Sequence, residues 1–229
     1  MLFYHAMWDI VNIFHVKASW FTPIFDHILQ RFICITFISL SGFCFSLGSR
    51  KLRRGLTVSL ASVIITLVTL IFMPSNVIVF GVLTLIGACM LITIPLEPFL
   101  SRINPFVGAA VSLAIYISMR YLMYGFVGIE GFMIELPDFL YANYLTAFLG
   151  FPHSGFHSAD YFPLFPWCFI FLFGYFLFRI FKNYNLLRFL KSPRIPPLEA
   201  VGKRTLIIYM LHQPITYGAL YLIFSIIKR

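Results

Sequence analysis

The sequence predicts an all-α, polytopic transmembrane helix bundle of about seven spans, folded as one domain over residues 1–229. Two properties carry that expectation. The chain is 60% hydrophobic and 11% charged, with a mean hydropathy of +0.91, whereas a water-facing domain is about a quarter charged because its surface must be solvated. Apolar runs also recur at the length a helix needs to cross a hydrocarbon core, about 20 residues. Little chain is left for a soluble domain. A disulfide scaffold or a zinc module is excluded because Cys34, Cys44, Cys89 and Cys168 sit inside apolar runs without CxxC pairing, where they read as small packing residues. The net charge of +9 would suit a nucleic-acid partner in a polar chain. In so apolar a chain, clustered Lys and Arg instead fix membrane orientation, and no nucleic acid is expected.

The first run, 1–14, is apolar but only 14 residues long, about 21 Å as a helix and too short to cross. It reads as the second half of a span whose upstream half precedes Met1. It has neither the basic start nor the small-residue cleavage site of a signal peptide. Six further runs follow at 28–47, 56–72, 77–96, 106–124, 165–181 and 205–227. The loop 49–55 carries Arg50, Lys51, Arg53 and Arg54, and the stretch 179–204 carries seven Lys or Arg against Glu199. Both are expected on the cytoplasmic side. The alternate loops are 73–76, without charge, and 126–164, which holds Glu130, Glu135, Asp138 and Asp160 but no Lys or Arg. These are expected outside, which puts the N-terminus in the cytoplasm and the C-terminus beyond the membrane. The outer loop is long for a compact bundle and rich in aromatics, so one or two short interfacial helices are expected between Gly125 and Gly155, roofing a cavity.

Ionisable residues within apolar runs are the candidates for chemistry, because an uncompensated charge in a span costs roughly 2.5–3.5 kcal/mol on insertion scales. His5 and Asp9 are four apart and share a helix face, so the carboxylate can orient the imidazole; the pair equally suits a polar cap near a helix end. His212 and Gln213 precede Pro214, which removes a helical hydrogen bond and predicts a kink flanked by polar side chains. Packing alone also explains such a kink. Arg120 lies near the outer end of its run, where snorkelling and function are equally open. Asp26, His27 and Arg31 fit an interfacial charge cluster. His153, His157 and Asp160 have metal-ligand chemistry, but no further ligand set supports them, and no metal is expected.

Several stretches together are similar to the heparan-alpha-glucosaminide N-acetyltransferase catalytic-domain family, in its bacterial branch. They are Tyr4-His5 with Trp8-Asp9, Arg31-Phe32 leading to Ser41-Gly42-Phe43-Cys44-Phe45-Ser46-Leu47, and Phe80-Gly81-Val82-Leu83. Further along come Ser158-Ala159-Asp160-Tyr161-Phe162-Pro163-Leu164-Phe165-Pro166-Trp167 and Gly202-Lys203-Arg204-Thr205-Leu206-Ile207-Ile208-Tyr209-Met210-Leu211-His212-Gln213-Pro214. The likeness runs in order along nearly the whole chain, and the last two stretches are the specific ones. The first helix also resembles the wider membrane acyltransferases, which use Arg-x10-His with the His as reactive residue. His5 matches that His, while the Arg would fall before Met1. Thr84 stands where many relatives carry a His.

The resemblance implies transfer of an acetyl group from cytoplasmic acetyl-CoA, a co-substrate, to an amino sugar or polysaccharide acceptor at an amine or hydroxyl beyond the membrane. It implies His5 as nucleophile or general base with Asp9 orienting it, and Asp160 and His212 for positioning or deprotonating the acceptor. Arg31, Gln213, Tyr161 and Trp167 are then the residues expected to hold that acceptor. A polyanionic nucleotide would be drawn to the basic face, which bears 12 of the 17 Lys and Arg, and the expected CoA site is Arg50, Lys51, Arg53, Arg54, Lys203 and Arg204. Orientation bias explains those charges as well. Membrane lipid is an expected partner, and a homodimer is compatible with the pattern. A rival reading is a proton-coupled permease or lipid-handling subunit in which His5, Asp9 and His212 relay protons; with one Pro-broken span and no internal repeat it ranks below acyl transfer. A purely structural membrane protein is the third.

Overall fold

The computed structural model describes residues 1–191 and 196–227. The basic stretch expected at 179–204 therefore includes Arg194, which lies outside the described residues. Helix dominates. In chain order the elements are α1 (Leu2–Trp8), α2 (Pro23–Phe45), α3 (Lys51–Phe72), α4 (Val82–Leu100), α5 (Pro105–Ser118), β1 (Phe126–Ile129), β2 (Phe132–Glu135), α6 (Tyr144–Leu149), α7 (Leu164–Asn183), α8 (Pro196–Lys203) and α9 (Thr205–Ile227). Six helices are long and apolar enough to cross a membrane, α5 being extended to Tyr124 by turns. The fold is an all-α membrane bundle.

The first run departs from the full-span pattern, as its length required. It forms α1 and then a π-helical turn over Asp9–Ile13. Helix starts also shift. The helices α2 and α3 begin at Pro23 and Lys51, several residues before their apolar runs, because charged residues at a helix end can direct their heads to water while the backbone stays hydrogen-bonded. Conversely, α4 starts later than its run, since 77–80 is not helical and Phe80 takes φ +56: Ala159 N–H donates to the Val77 carbonyl at 3.0 Å and Phe162 N–H to the Phe80 carbonyl at 2.9 Å. Pro95 and Pro98 lie inside α4 as Pro214 does inside α9, so the chain holds more than one proline-bearing span. Each of these helices runs on past its prolines.

The segment from Gly125 to Gly155 does not form only the short helices expected of it. The hairpin β1–β2 pairs Phe126 with Glu135 and Ile129 with Phe132. The helix α6 follows it, opened by a capping box in which Asn143 Oδ1 accepts from Thr146 N–H at 3.0 Å and Thr146 Oγ1 accepts from Asn143 N–H at 3.1 Å.

The chain divides into two compact units, Met1–Thr36 with Lys191–Arg229, and Phe37–Leu190. In the first, aromatic rings join the N-terminal segment to α9, Phe14 stacking on Phe224 with centroids 4.5 Å apart. In the second, helices approach through glycine, as they do where lipid offers no hydrophobic drive and close backbone contact must supply the packing. A Cβ on Gly42 would fall 1.9 Å from the Phe171 carbonyl oxygen, and one on Gly174 would fall 1.8 Å from that of Ser39. These contacts bring the C-terminal part of α2 against α7. Ile38, Phe45, Leu85, Leu122, Ile170 and Phe171 are the most deeply buried apolar side chains of this unit. Hydroxyls inside the spans bond back to their own helix, Thr93 to the Cys89 carbonyl at 2.6 Å and Ser112 to Gly108 at 2.7 Å, which satisfies them without a partner from another helix.

Candidate functional site

The first unit gathers a polar cluster from three elements. The helix α1 supplies Tyr4 and His5, the π-helical turn supplies Asp9, and α9 supplies His212 and Gln213. A π-turn inside a helix is uncommon and concentrates at functional positions. The rings of His5 and His212 lie 4.8 Å apart, centroid to centroid, at 59°. Neither is close to the other in sequence; tertiary packing makes the pair.

Asp9 has no exposed surface, and its carboxylate is held by Gln213, whose Nε2 donates to Oδ1 at 3.2 Å and Oδ2 at 3.4 Å. The Asp9 backbone N–H donates to the His5 carbonyl as part of the helix, but among the described residues no side-chain hydrogen bond joins the Asp9 carboxylate to the His5 ring. The one-turn spacing suggested such a bond, but the donor to the carboxylate arrives from α9 instead. The His5 ring instead meets the edge of Tyr4, at 5.4 Å and 77°.

His212 is 92% buried, with 8% of its surface exposed. Its Nδ1 sits against the Tyr209 carbonyl. A carbonyl oxygen only accepts, so Nδ1 carries the hydrogen, and in a neutral ring the lone pair is then on Nε2. That nitrogen is buried without a hydrogen-bond partner among the described residues, as is Gln213 Oε1. An imidazole fixed in one tautomer with a free basic nitrogen can accept a proton. Tyr4, buried against α2, hydrogen-bonds Asp26. Sequence reasoning quoted Tyr4 only as part of a resemblance and placed Asp26 in a surface cluster; the buried Asp26 Oδ1 is without a partner among the described residues. Arg31 and His27 are exposed.

Asp160, Tyr161 and Trp167 lie in the second unit. Asp160 accepts a hydrogen bond from the Val82 N–H at the start of α4, and Gly81 makes room for it: a Cβ there would meet Asp160 Oδ2 at 3.2 Å. Burial pushes the Asp160 carboxyl up to about 6, against the opposing pull of that Val82 bond. Ser158 fastens the same stretch, its Oγ accepting from Val79 N–H at 3.0 Å and donating to the Val79 carbonyl at 2.8 Å. The Tyr161 hydroxyl donates to the Ala147 carbonyl, and burial raises its pKa. Trp167 packs on Tyr116 and Phe162 at 5.4 and 5.1 Å. His153 is occupied by Tyr144, 5.1 Å away, and accepts from Gly155 N–H at 3.2 Å.

The cations expected to meet CoA divide by role. Lys51 pairs with Glu97 at 2.5 Å and sits over the Phe45 ring, 5.0 Å from its centroid. Arg54 donates to the Cys44 and Phe45 carbonyls at 3.2 and 3.4 Å, closing the C-terminus of α2 where a cation complements the helix dipole. Arg50 and Arg53 are exposed and, among the described residues, hold no ion pair. In the first unit Lys203 pairs with Glu199 at 2.8 Å, and Arg204 is exposed. Arg179, which the sequence offered only as loop charge, donates to the carbonyls of Leu100, Ser101 and Ile103 at 2.7–2.9 Å and so caps α4. Carbonyl capping leaves no pattern in sequence, because its acceptors are backbone atoms. Arg120, left between two readings, pairs with Glu130 at 2.7 Å.

A family model described as "Heparan-alpha-glucosaminide N-acetyltransferase, catalytic" matches residues 1–214. No curated protein matches the chain, and no solved structure does.

Proposed function

The chain belongs to the heparan-alpha-glucosaminide N-acetyltransferase catalytic family, and from that membership we propose that it moves an acetyl group from cytoplasmic acetyl-CoA to a sugar amine or hydroxyl across the membrane. Transferase chemistry of this general kind, in a multi-pass membrane protein, comes with the family; the donor, the acceptor and the residues are our reading. The observation that carries it is the His5–His212 ring pair, two imidazoles in contact beside the buried Asp9–Gln213 pair. His5 is the reacting group. As a nucleophile, a ring nitrogen takes the acetyl carbon while the C–S bond breaks and the thiolate leaves; the acceptor then takes the acetyl group and gives up a proton. As a general base, His5 takes that proton while the acceptor attacks the thioester directly, and returns it to the leaving thiolate.

His212 stands next to His5 with Nε2 available, which suits holding the acceptor's proton in either course. Asp9 supports this pair through Gln213, by fixing the N-terminal segment on α9, its carboxylate making no hydrogen bond to the His5 ring among the described residues. Asp160 positions the stretch 158–162 on α4, and Tyr161 and Trp167 shape that side for the acceptor. Within the second unit Arg50 and Arg53 are the cations with charge to offer the CoA phosphates, whereas Lys51 and Arg54 are engaged with the protein; within the first unit Arg204 has charge to offer, whereas Lys203 is engaged with Glu199.

The test is acetyl transfer from labelled acetyl-CoA to a panel of amino sugars by purified protein in liposomes. His5→Ala is expected to abolish transfer while the variant remains monodisperse and helical. Turnover at the wild-type rate in that variant would overturn the assignment. Acid-quenched protein carrying label in the wild type but not in His5→Ala selects the covalent course. The permease reading predicts the opposite pairing, with no acetyl transfer by the wild type and proton uptake that depends on His5.

A further inference from the structure

The hairpin β1–β2 has a face that the proposed transfer reaction does not use. Opposite residues of an antiparallel pair share a face, and that face alternates along each strand. The register Val127↔Ile134 and Ile129↔Phe132 therefore puts Val127, Ile129, Phe132 and Ile134 together. All four are apolar, and Ile129, Phe132 and Ile134 are 50%, 82% and 70% exposed. A free hairpin with such a face would be a liability in water.

The hairpin is also tied down at both ends to the same two residues. At its base, Phe126 N–H donates to the Tyr121 carbonyl at 3.3 Å. At its tip, Glu130 Oε1 accepts from Arg120 Nη2 at 2.7 Å and from the Tyr121 hydroxyl at 2.9 Å. Strands of this size extend about 13 Å, yet base and tip are both held at residues 120–121, near the end of the span Pro105–Tyr124. The clasp therefore fixes the direction of the hairpin at the span's end. Met123 and Tyr124, exposed at the end of that span, and the exposed Phe126 lead directly into it. Tyr at a span terminus is the residue of the lipid headgroup layer.

We propose that β1–β2 is a membrane-interface anchor, lying flat at headgroup depth with Ile129, Phe132 and Ile134 dipped into the acyl chains and the Arg120–Glu130–Tyr121 clasp setting its angle. A lipid surface, rather than a second copy of the chain, is the occupant because the face follows directly on the exposed apolar end of a candidate membrane span and is clasped to that end. The inference stands apart from the acetyl-transfer reading, since it concerns neither His5 nor His212.

The test places a reporter at the face. Phe132→Trp, read as the emission added over wild type, is measured in nanodiscs holding one protein each, made with phosphatidylcholine brominated high on the acyl chain. Loss of most of the added emission, with little quenching by aqueous iodide, is the expected result. Glu130→Gln in the same background should reduce the bromine quenching and raise the iodide quenching, as the clasp opens. Iodide quenching without bromine quenching in the clasped protein would overturn the proposal, and so would shielding from both quenchers that arises only with two copies per disc.

Discussion

Asp160 shows how a residue picked out for its acidity can have its placement determined by a helix end. Its carboxylate lies at the N-terminus of α4, where helix dipole and the Val82 N–H favour the charged form, yet burial outweighs them and sets its pKa at about 6 against an ordinary 3.8. The folded state thus binds this proton more tightly than the unfolded chain. Its contribution to stability is complete below the unfolded value and is lost as pH rises through about 6. Melting in detergent should therefore fall in temperature between pH 4 and 7, and Asp160→Asn, whose carboxamide oxygen still accepts from Val82, should remove that part of the slope. If Asp160→Asn retains acetyl transfer, the residue positions; if transfer is lost with the melting temperature intact, it moves a proton. Asp9 offers a second residue-scale test. Gln213 is the only described donor to its two buried oxygens, so Gln213→Leu should cost about 1–3 kcal/mol by leaving them unsatisfied. Gln213→Glu is expected to be worse, since it sets two carboxylates face to face. Thermal melts of the two variants rank them.

At the scale of elements, the spans were legible because lipid imposes a single rule: about 20 apolar residues wherever a helix crosses. The runs 56–72 and 205–227 end where α3 and α9 end. What composition could not convey was which polar groups meet. His5 and His212 are over 200 positions apart, and nothing in their local sequence pairs them, whereas the His5–Asp9 spacing was visible and misleading about the bond. The hairpin was legible in principle: Phe-Val-Gly-Ile-Glu-Gly-Phe-Met-Ile-Glu has strand-forming residues on both sides of Glu130-Gly131, and Gly131 takes φ +95 at the turn. A membrane-wide apolar signal masked it. Glycine contacts were hidden for a different reason, because a glycine in an apolar run reads the same whether it faces lipid or a neighbour. Gly174 has the tightest such contact, so Gly174→Val should force α7 off α2 and lower the melting temperature sharply, with a cost of about 1–3 kcal/mol or more. A substitution at Gly218, where a Cβ would meet nothing within 4 Å, is the control. Equal melting temperatures for the two would show that the α2–α7 approach is not what stabilises this unit.

For the molecule as a whole, the second unit has an electrical direction that its contacts make explicit. The Lys51–Glu97 pair joins the start of α3 to the end of α4, and Arg179 near the end of α7 caps the same end of α4. Arg50, Lys51, Arg53, Arg54, Arg102, Arg179 and Lys182 therefore gather at one end of this unit. The opposite end carries the start of α4 with Asp160, and the segment with Glu130, Glu135 and Asp138. Positive charge is retained on the cytoplasmic side during insertion, so the basic end is expected inside and the hairpin outside. The acetyl donor would then arrive where Arg50 and Arg53 are exposed, and the acceptor at the Asp160 end. In a background with the four native cysteines replaced by alanine, Arg53→Cys should react with a membrane-impermeant maleimide only after the cells are opened, while Asp138→Cys should react in intact cells. The reverse labelling would invert the orientation and, with it, the direction in which the acetyl group is carried.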